Sequence, residues 1–176
     1  MKHVFVFDQD KCCACSACMM GCMDQNDIGP DDPCFRKTYD GEIVQADGTV
    51  GFAYLSTACM HCEDAPCIAA CPVGCLKKDP ETGFTVYDNT DCIGCKSCAM
   101  ACPFGAPRYR ADGKMVKCDG CNERVKNGLK PACVCACSFD ALTCVTEEEY
   151  LASGGDKACN LLIQQVRGAR GVKLAE

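Results

Sequence analysis

Residues 91–109 read DCIGCKSCAMACPFGAPRY. The four cysteines here, Cys92, Cys95, Cys98 and Cys102, are spaced x2, x2, x3, and Pro103 follows the last. The same rhythm recurs at Cys12, Cys15, Cys18 and Cys22. Two further groups vary it. Cys59, Cys62, Cys67 and Cys71 are spaced x2, x4, x3, and Cys118, Cys121, Cys133 and Cys137 are spaced x2, x11, x3. Three thiolates in so short a loop wrap one corner of a bound group. The fourth, x3 later on a helical turn, is expected to point the other way and to serve a neighbour.

The x2, x2, x3 run is that of bacterial iron–sulfur proteins, in which the fourth cysteine ligates the other cluster of a pair. Sixteen thiolates in this pattern suffice for four [4Fe–4S] clusters. The expected ligand sets are Cys12, Cys15, Cys18 with Cys137; Cys22 with Cys118, Cys121 and Cys133; Cys59, Cys62, Cys67 with Cys102; and Cys71 with Cys92, Cys95 and Cys98. Four complete sets leave no iron open to a substrate, so the clusters are expected to carry electrons only. The sequence has no Gly-rich phosphate loop, no nucleophile with a paired base and no flavin or nicotinamide fingerprint. Catalysis is therefore not expected of this chain by itself.

Composition narrows the alternatives. Cysteine supplies 22 of 176 residues, there is no Trp, and the formal charge is −6. With sixteen thiolates and four oxidised cores of about +2 each, the charge becomes about −14. That argues against a nucleic-acid partner, which needs a basic footprint. No apolar run approaches the roughly 18 residues of a membrane span. A disulfide scaffold would suit an exported small protein, but the start MKHVFVFDQDKC lacks an apolar signal region. Zinc sites use two Cys-x2-Cys pairs rather than runs of four. The chain is expected to be cytoplasmic, or exported while bound to a partner that bears a signal.

The fold expected is α+β: two ferredoxin-like 2[4Fe–4S] units built of short strands, short helices and long loops. Residues 59–102 read as an inner unit. Residues 1–58 and 103–146 read as an outer unit, split in sequence around it, with a hairpin insertion at about 23–58. Strands are expected at Val4–Asp8, Phe84–Asp88, Met115–Lys117 and Ala141–Thr146. A hairpin of EIVQ and VGFAYL turns at Asp47-Gly48, a strong hairpin signal. Residues 122–132 predict a short helix stopped near Gly128 and Pro131. Thr146 and Glu149 form a capping box, so a helix begins at 147. Residues 147–176 read as a C-terminal helix and tail that packs on the body or docks on a partner.

Three stretches, ACMHCEDAPC at 58–67, DCIGCKSCAMACPFGAPRY at 91–109 and KCDGCNERVKNGLKPACVCAC at 117–137, carry a family resemblance. The chain is similar, over about residues 3–145, to the four-cluster electron-transfer (beta) subunits of the dimethyl sulfoxide reductase family of molybdopterin oxidoreductases. It departs from the family pattern at Ser138 and in its short C-terminal region. The resemblance implies a relay between a large catalytic subunit holding molybdenum or tungsten and a membrane anchor or another donor. The same cysteine pattern suits a relay subunit of a formate dehydrogenase or hydrogenase assembly, and a free polyferredoxin.

Several other residues stand near the motifs. Lys11, Lys96, Lys117 and Lys130 adjoin ligands, where a cation would stabilise the reduced state, or they are ordinary solvated charges. Backbone N–H groups at Ile93-Gly94 and Asp119-Gly120 are placed to bond sulfurs. His61, between two ligands, either bonds a sulfur, couples a proton, or packs. Met19, Met20, Met23, Met60 and Met100 are expected to line the clusters. Arg108, Arg110, Lys114, Lys117, Arg124, Lys126 and Lys130 form a basic stretch, read as a solvated surface or a docking face. Cys13, Cys34, Cys75, Cys135, Cys144 and Cys159 fall outside the sets. Cys75 and Cys144 are expected to be apolar filler, and Cys13 and Cys135 adjoin ligands closely enough to exchange with them.

Overall fold

The computed structural model describes residues 1–44 and 46–153. In chain order the elements are β1 (His3–Phe7), α1 (Ala17–Gln25), β2 (Lys37–Val44), β3 (Val50–Thr57), α2 (Pro66–Ala69), β4 (Leu76–Lys78), β5 (Thr85–Tyr87), α3 (Ser97–Ala101), β6 (Arg108–Tyr109), β7 (Met115–Val116), α4 (Asn122–Lys126), α5 (Ala132–Cys135), β8 (Leu142–Thr146) and α6 (Glu147–Ala152). It is a small mixed fold of short strands and short helices. The C-terminal tail expected from 156 onward lies outside the described residues.

Every sheet among the described residues has two antiparallel strands: β1 with β8, β2 with β3, β4 with β5 and β6 with β7. Isolated two-stranded ribbons are marginal in water, so each must gain stability from what it packs on. β1 (HVFVF) and β8 (LTCVT) are rich in the β-branched and aromatic residues that suit a half-buried strand. Their register sets Phe5 opposite Cys144 and Phe7 opposite Leu142. This pairing brings the first residues of the chain beside the 140s. Phe5 stacks on Phe84 with ring centroids 5.6 Å apart.

Four strands occur where the residue pattern predicts them: β1 is shifted one residue toward the N-terminus, and β5, β7 and β8 are shorter than predicted. β4 and β6 are additional; two or three residues are too few to show an alternating pattern. The hairpin turns at Asp47-Gly48, where Asp47 Oδ1 accepts the Thr49 N–H at 2.9 Å and its hydroxyl at 2.7 Å. Its strands are longer than predicted and reach back to Lys37 and on to Thr57. Val44, Val50 and Phe52 are exposed on the arm, whereas Arg36 and Ser56 at its base are buried.

Helices pack in pairs, α1 on α5 and α2 on α3. Gly21 makes the first pair possible, because a Cβ there would sit 2.9 Å from Ala136 Cβ and 3.3 Å from the Ala132 carbonyl. The predicted helix after Cys121 is α4; it stops before Gly128, and Pro131 caps the next helix. Thr146 and Glu149 form the predicted capping box at α6. Asp79 fastens the β4–β5 turn to α4. Its Oδ1 accepts the N–H groups of Glu81 and Thr82, and its Oδ2 accepts from Asn122 Nδ2 at 3.0 Å and Lys126 Nζ at 2.6 Å. Among the described residues no helix is long and apolar enough to cross a membrane.

Candidate metal centres

The four cysteine loops share one backbone device. In each Cys-x-x-Cys pair that opens a loop, the residue before the second cysteine has positive φ: Ala14 (54°), His61 (47°), Gly94 (65°) and Gly120 (78°). A left-handed residue reverses the chain locally, so two thiols three residues apart can face one point. In the two x2, x2, x3 loops a second left-handed residue, Ser16 or Lys96, caps the helix that carries the third cysteine. For a residue with a Cβ that conformation costs about 1 kcal/mol or more. At Gly120 a side chain is excluded outright, since a Cβ would lie 2.5 Å from the Phe84 ring.

α1 carries both Cys18 and Cys22. Four residues of helix rotate a side chain by little more than one turn, so the two lie on the same face about 6 Å apart along the axis. For Cys22 the expectation that the fourth cysteine points the other way is corrected here. It is the axial step, not the direction, that separates Cys22 from Cys18.

Three cavities collect the predicted thiols. One is ringed by Cys12, Cys15, Cys18 and Cys137, with Cys13 also at its wall. The second is ringed by Cys59, Cys62, Cys67 and Cys102. The third is ringed by Cys71, Cys92, Cys95 and Cys98, with Cys75 beside them. They enclose ≈ 350, ≈ 330 and ≈ 290 Å³ of space free of protein atoms, part of it open to solvent. Cys22, Cys118 and Cys133 are buried in one core cluster, and Cys121 lies close enough to Cys22 and Cys133 to act on their charge.

The donor chemistry fits a group of several atoms carrying positive charge. Every cysteine among the described residues is a free thiol. Among those residues no three His, Cys, Asp or Glu side chains converge closely enough to hold a single ion. Burial, and after it the neighbouring Cys133, push Cys22 up to about 12. Cys118 and Cys133 are also raised, first by burial. Thiols so placed become thiolates only when a cation among them offsets the desolvation. Backbone N–H groups already point at several sulfurs: Cys75 N to Cys71 Sγ at 3.3 Å, Ala106 N to Cys102 Sγ, Met115 N to Cys92 Sγ and Gly120 N to Cys118 Sγ, each at 3.4 Å. The last is one of the bonds predicted from the Asp119-Gly120 position.

Three side chains that are not cysteines complete the interior. Lys117 is 0% exposed. Its Nζ donates to the Thr85 carbonyl, to the Cys118 carbonyl at 2.6 Å and to Cys59 Sγ at 3.8 Å. Three acceptors match the three donors of an ammonium group. Arg36 is 4% exposed and donates from Nη1 to Ser56 Oγ at 3.0 Å; that hydroxyl lies 3.3 Å from Cys18 Sγ. Burial alone would lower the Arg36 pKa, but Cys133, Cys118, Cys18 and Cys22, wherever they are ionised, more than offset it. His61 Nδ1 accepts the Thr85 N–H at 3.0 Å, so a neutral ring carries its proton on Nε2, which lies 3.7 Å from Cys118 Sγ. Burial, then Lys117, Lys78 and Arg36, hold its pKa well below the usual value. Two of its three readings are met by this geometry: Nε2 faces a sulfur, and the ring packs on Phe84 with centroids 4.7 Å apart.

Other expectations are revised. Lys11, Lys96 and Lys130 are exposed, so among the four candidate lysines Lys117 alone is buried. The basic stretch is not one surface: Lys117 is interior, Lys126 pairs with Asp79, and Arg124 bonds the Lys130 carbonyl and Gln25. Met100 is 87% exposed, and Met20 and Met60 also face out. Met23 packs on the core, and the deeply buried methionine is Met115. Cys75 is buried with its pKa pushed up to about 11, first by burial. Cys144 is pushed to about 12, by burial and then by Cys133 and Cys121. Cys135 is exposed near the Lys130 carbonyl, and Cys34 lies 3.6 Å from Met23 Sδ. Cys159 lies outside the described residues. Arg36 and Ser56 were not legible as site residues, since they sit in the insertion, far in sequence from the cysteines they serve.

The family model for the 4Fe–4S dicluster domain matches residues 50–147. The chain is similar to the B subunit of the anaerobic dimethyl sulfoxide reductase of Escherichia coli (strain K12), with 43% identity over 165 residues, 89% of this chain and 80% of the relative. It is 36% identical over 173 residues to the hydrogenase-2 operon protein HybA of Escherichia coli O157:H7, covering 84% of this chain and 52% of that protein. It is 30% identical over 198 residues to the arsenate respiratory reductase iron-sulfur subunit ArrB of Shewanella sp. (strain ANA-3), covering 80% of each.

Proposed function

The chain belongs to the 4Fe–4S dicluster family, and from that premise we propose that it is an electron-transfer subunit that relays electrons through four [4Fe–4S] clusters. Each cluster stores and passes one electron without binding substrate. The sixteen cysteines in the four sets named above are the proposed ligands. The two ferredoxin-like units are proposed to be nested, residues 59–102 within the unit formed by 1–58 and 103–146. The pairing of β1 with β8 and of α1 with α5 supports the outer unit, and the packing of α2 on α3 supports the inner one.

The observation that carries this reading is the closeness of separate thiol sets. Lys117 Nζ contacts Cys59 Sγ, while the next residue in the chain is Cys118. Lys117 Nζ also reaches the Cys118 carbonyl, so one side chain touches residues of two proposed sets, as a continuous electron path requires. The role of the protein is to hold the thiols, exclude water from the interior and aim N–H groups at sulfur. The proposed partner is a large molybdopterin subunit, with molybdenum or tungsten, and with it a membrane anchor. The similarity to HybA supports a second reading, a relay in a hydrogenase assembly.

Affinity purification of the full chain from anaerobic native extract tests the assignment. The expected result is a brown complex with a much larger molybdopterin protein, whose visible absorbance bleaches on reduction and recovers when the large subunit turns over an oxidant. A hydrogenase as the large partner selects the second reading. A colourless chain recovered alone contradicts both.

A further inference from the structure

The buried charged side chains among the described residues are Arg36, Asp79 and Lys117. Asp79 is taken up by the turn and α4. The two cations stand elsewhere, each at a junction between thiol sets. Lys117 lies between Cys59 of one set and Cys118 of another. Arg36 reaches Cys18 of a third set through the Ser56 hydroxyl: Nη1 donates to Ser56 Oγ, which leaves the hydroxyl proton free to bond Cys18 Sγ. On its other side Arg36 lies over the Phe5 ring, 5.8 Å from its centroid, and the adjacent Phe35 packs in one buried cluster with Cys22, Cys118 and Cys133. The Cys22, Cys118, Cys121 and Cys133 set is thus flanked by both cations.

We propose that Arg36 and Lys117 are fixed junction charges that set the reduction potentials of the relay, Lys117 for the sets of Cys59 and Cys118, Arg36 for the sets of Cys18 and Cys118. The inference rests on the electron-relay reading above. Reduction adds one electron, received from the adjacent set, and moves no proton and breaks no bond. The reduced site is one unit more negative, so a desolvated cation beside it favours that state and raises the potential. Charges with water around them are screened. Lys96, exposed beside the Cys95 loop, therefore serves as a surface control.

The test is a redox titration of the cluster-loaded full chain, followed by electron paramagnetic resonance, for Lys117→Gln, Arg36→Gln and Lys96→Gln. Glutamine removes the charge and keeps two N–H donors on a shorter side chain. Lys117→Gln is expected to lower two midpoints, and Arg36→Gln two, each by at least tenfold in the reduction equilibrium, or 59 mV for one electron. One centre moves in both variants, and the fourth centre moves in neither. Lys117→Arg and Arg36→Lys, which keep the charge, return the midpoints toward the wild type. Should a neutral variant lose iron at one centre, the other centre of its pair carries the reading. Unchanged midpoints, or a uniform shift of all four that Lys96→Gln reproduces, overturn the inference. A wild-type chain without four reducible centres instead overturns the relay reading, before any variant is made.

Discussion

The set of Cys22, Cys118, Cys121 and Cys133 and the set of Cys71, Cys92, Cys95 and Cys98 rest on similar loops and end in opposite surroundings. Both include a Cys-x-x-Cys turned by a left-handed glycine, Gly120 in one and Gly94 in the other. The first is interior: three of its cysteines are buried, two buried cations flank it, and His61 Nε2 faces one sulfur. The second is at the rim: Cys95 is exposed, as are Ile93 and Met100, and the neutral Tyr109 hydroxyl lies 3.2 Å from Cys98 Sγ. Cysteine spacing shapes the loop. What surrounds the loop comes from segments far away in sequence, and that is where two similar motifs acquire different properties.

The strongest way to break this contrast is to remove the metal. The interior thiols are held against burial and mutual repulsion, so chelating the iron is expected to unfold the interior and the rim together, because metal binding supplies folding free energy. Hydrogen exchange checks this: interior amides near Val116 and Val134 that stay protected without iron would show that packing alone suffices. Single ligands sharpen the comparison. Cys118→Ala is expected to lose one centre, roughly four irons, and to cost at least about 4 kcal/mol in urea unfolding. Cys95→Ala, at the rim, is expected to lose the same iron at about half that cost.

Packing effects are smaller. Gly120→Ala forces a Cβ into the Phe84 ring at positive φ, and is expected to cost about 3 kcal/mol. Gly48→Ala, in open space at the hairpin tip, is expected to cost about 1 kcal/mol. Urea midpoints of the two variants measure the difference. Asp79→Asn weakens the tie between the β4–β5 turn and α4 and is expected to cost about 2 kcal/mol at neutral pH. Asp79 has a folded pKa held far below the usual carboxylate value; burial opposes this, but Lys126, Thr82, Asn122 and Glu81 outweigh it. Its stabilisation is therefore complete above the ordinary carboxylate range and fades as pH falls below that range toward the depressed value. The gap between wild type and Asp79→Asn should narrow in that window. Thr146→Ala removes the cap of α6 and is expected to cost about 1 kcal/mol with no change in iron content.

The sequence is most legible where structure depends on neighbours in the chain. The hairpin at Asp47-Gly48, the stop of α4 at Gly128 and the Thr146 cap each follow from a few adjacent residues. So does the grouping of thiols within one loop. What escapes such reading depends on contacts across the chain. Nothing adjacent to Arg36 marks it as buried, because the residues that bury it arrive from Ser56, Cys18 and Cys133. Lys117 has the same local look as Lys96, yet one is enclosed by Thr85 and Cys59 and the other meets water. Methionines near the loops are apolar by composition, and only the packing decides that Met115 turns inward while Met100 turns out.

The proposed relay needs sixteen thiols in four sets to hold four iron–sulfur cubes. Iron and acid-labile sulfide determination on the anaerobically reconstituted full chain, read with the resonance spectrum of the reduced protein, tests it most directly. About sixteen irons with matching sulfide and four interacting paramagnetic centres are expected. Four irons or fewer, or a full complement of zinc in a colourless protein, would contradict it.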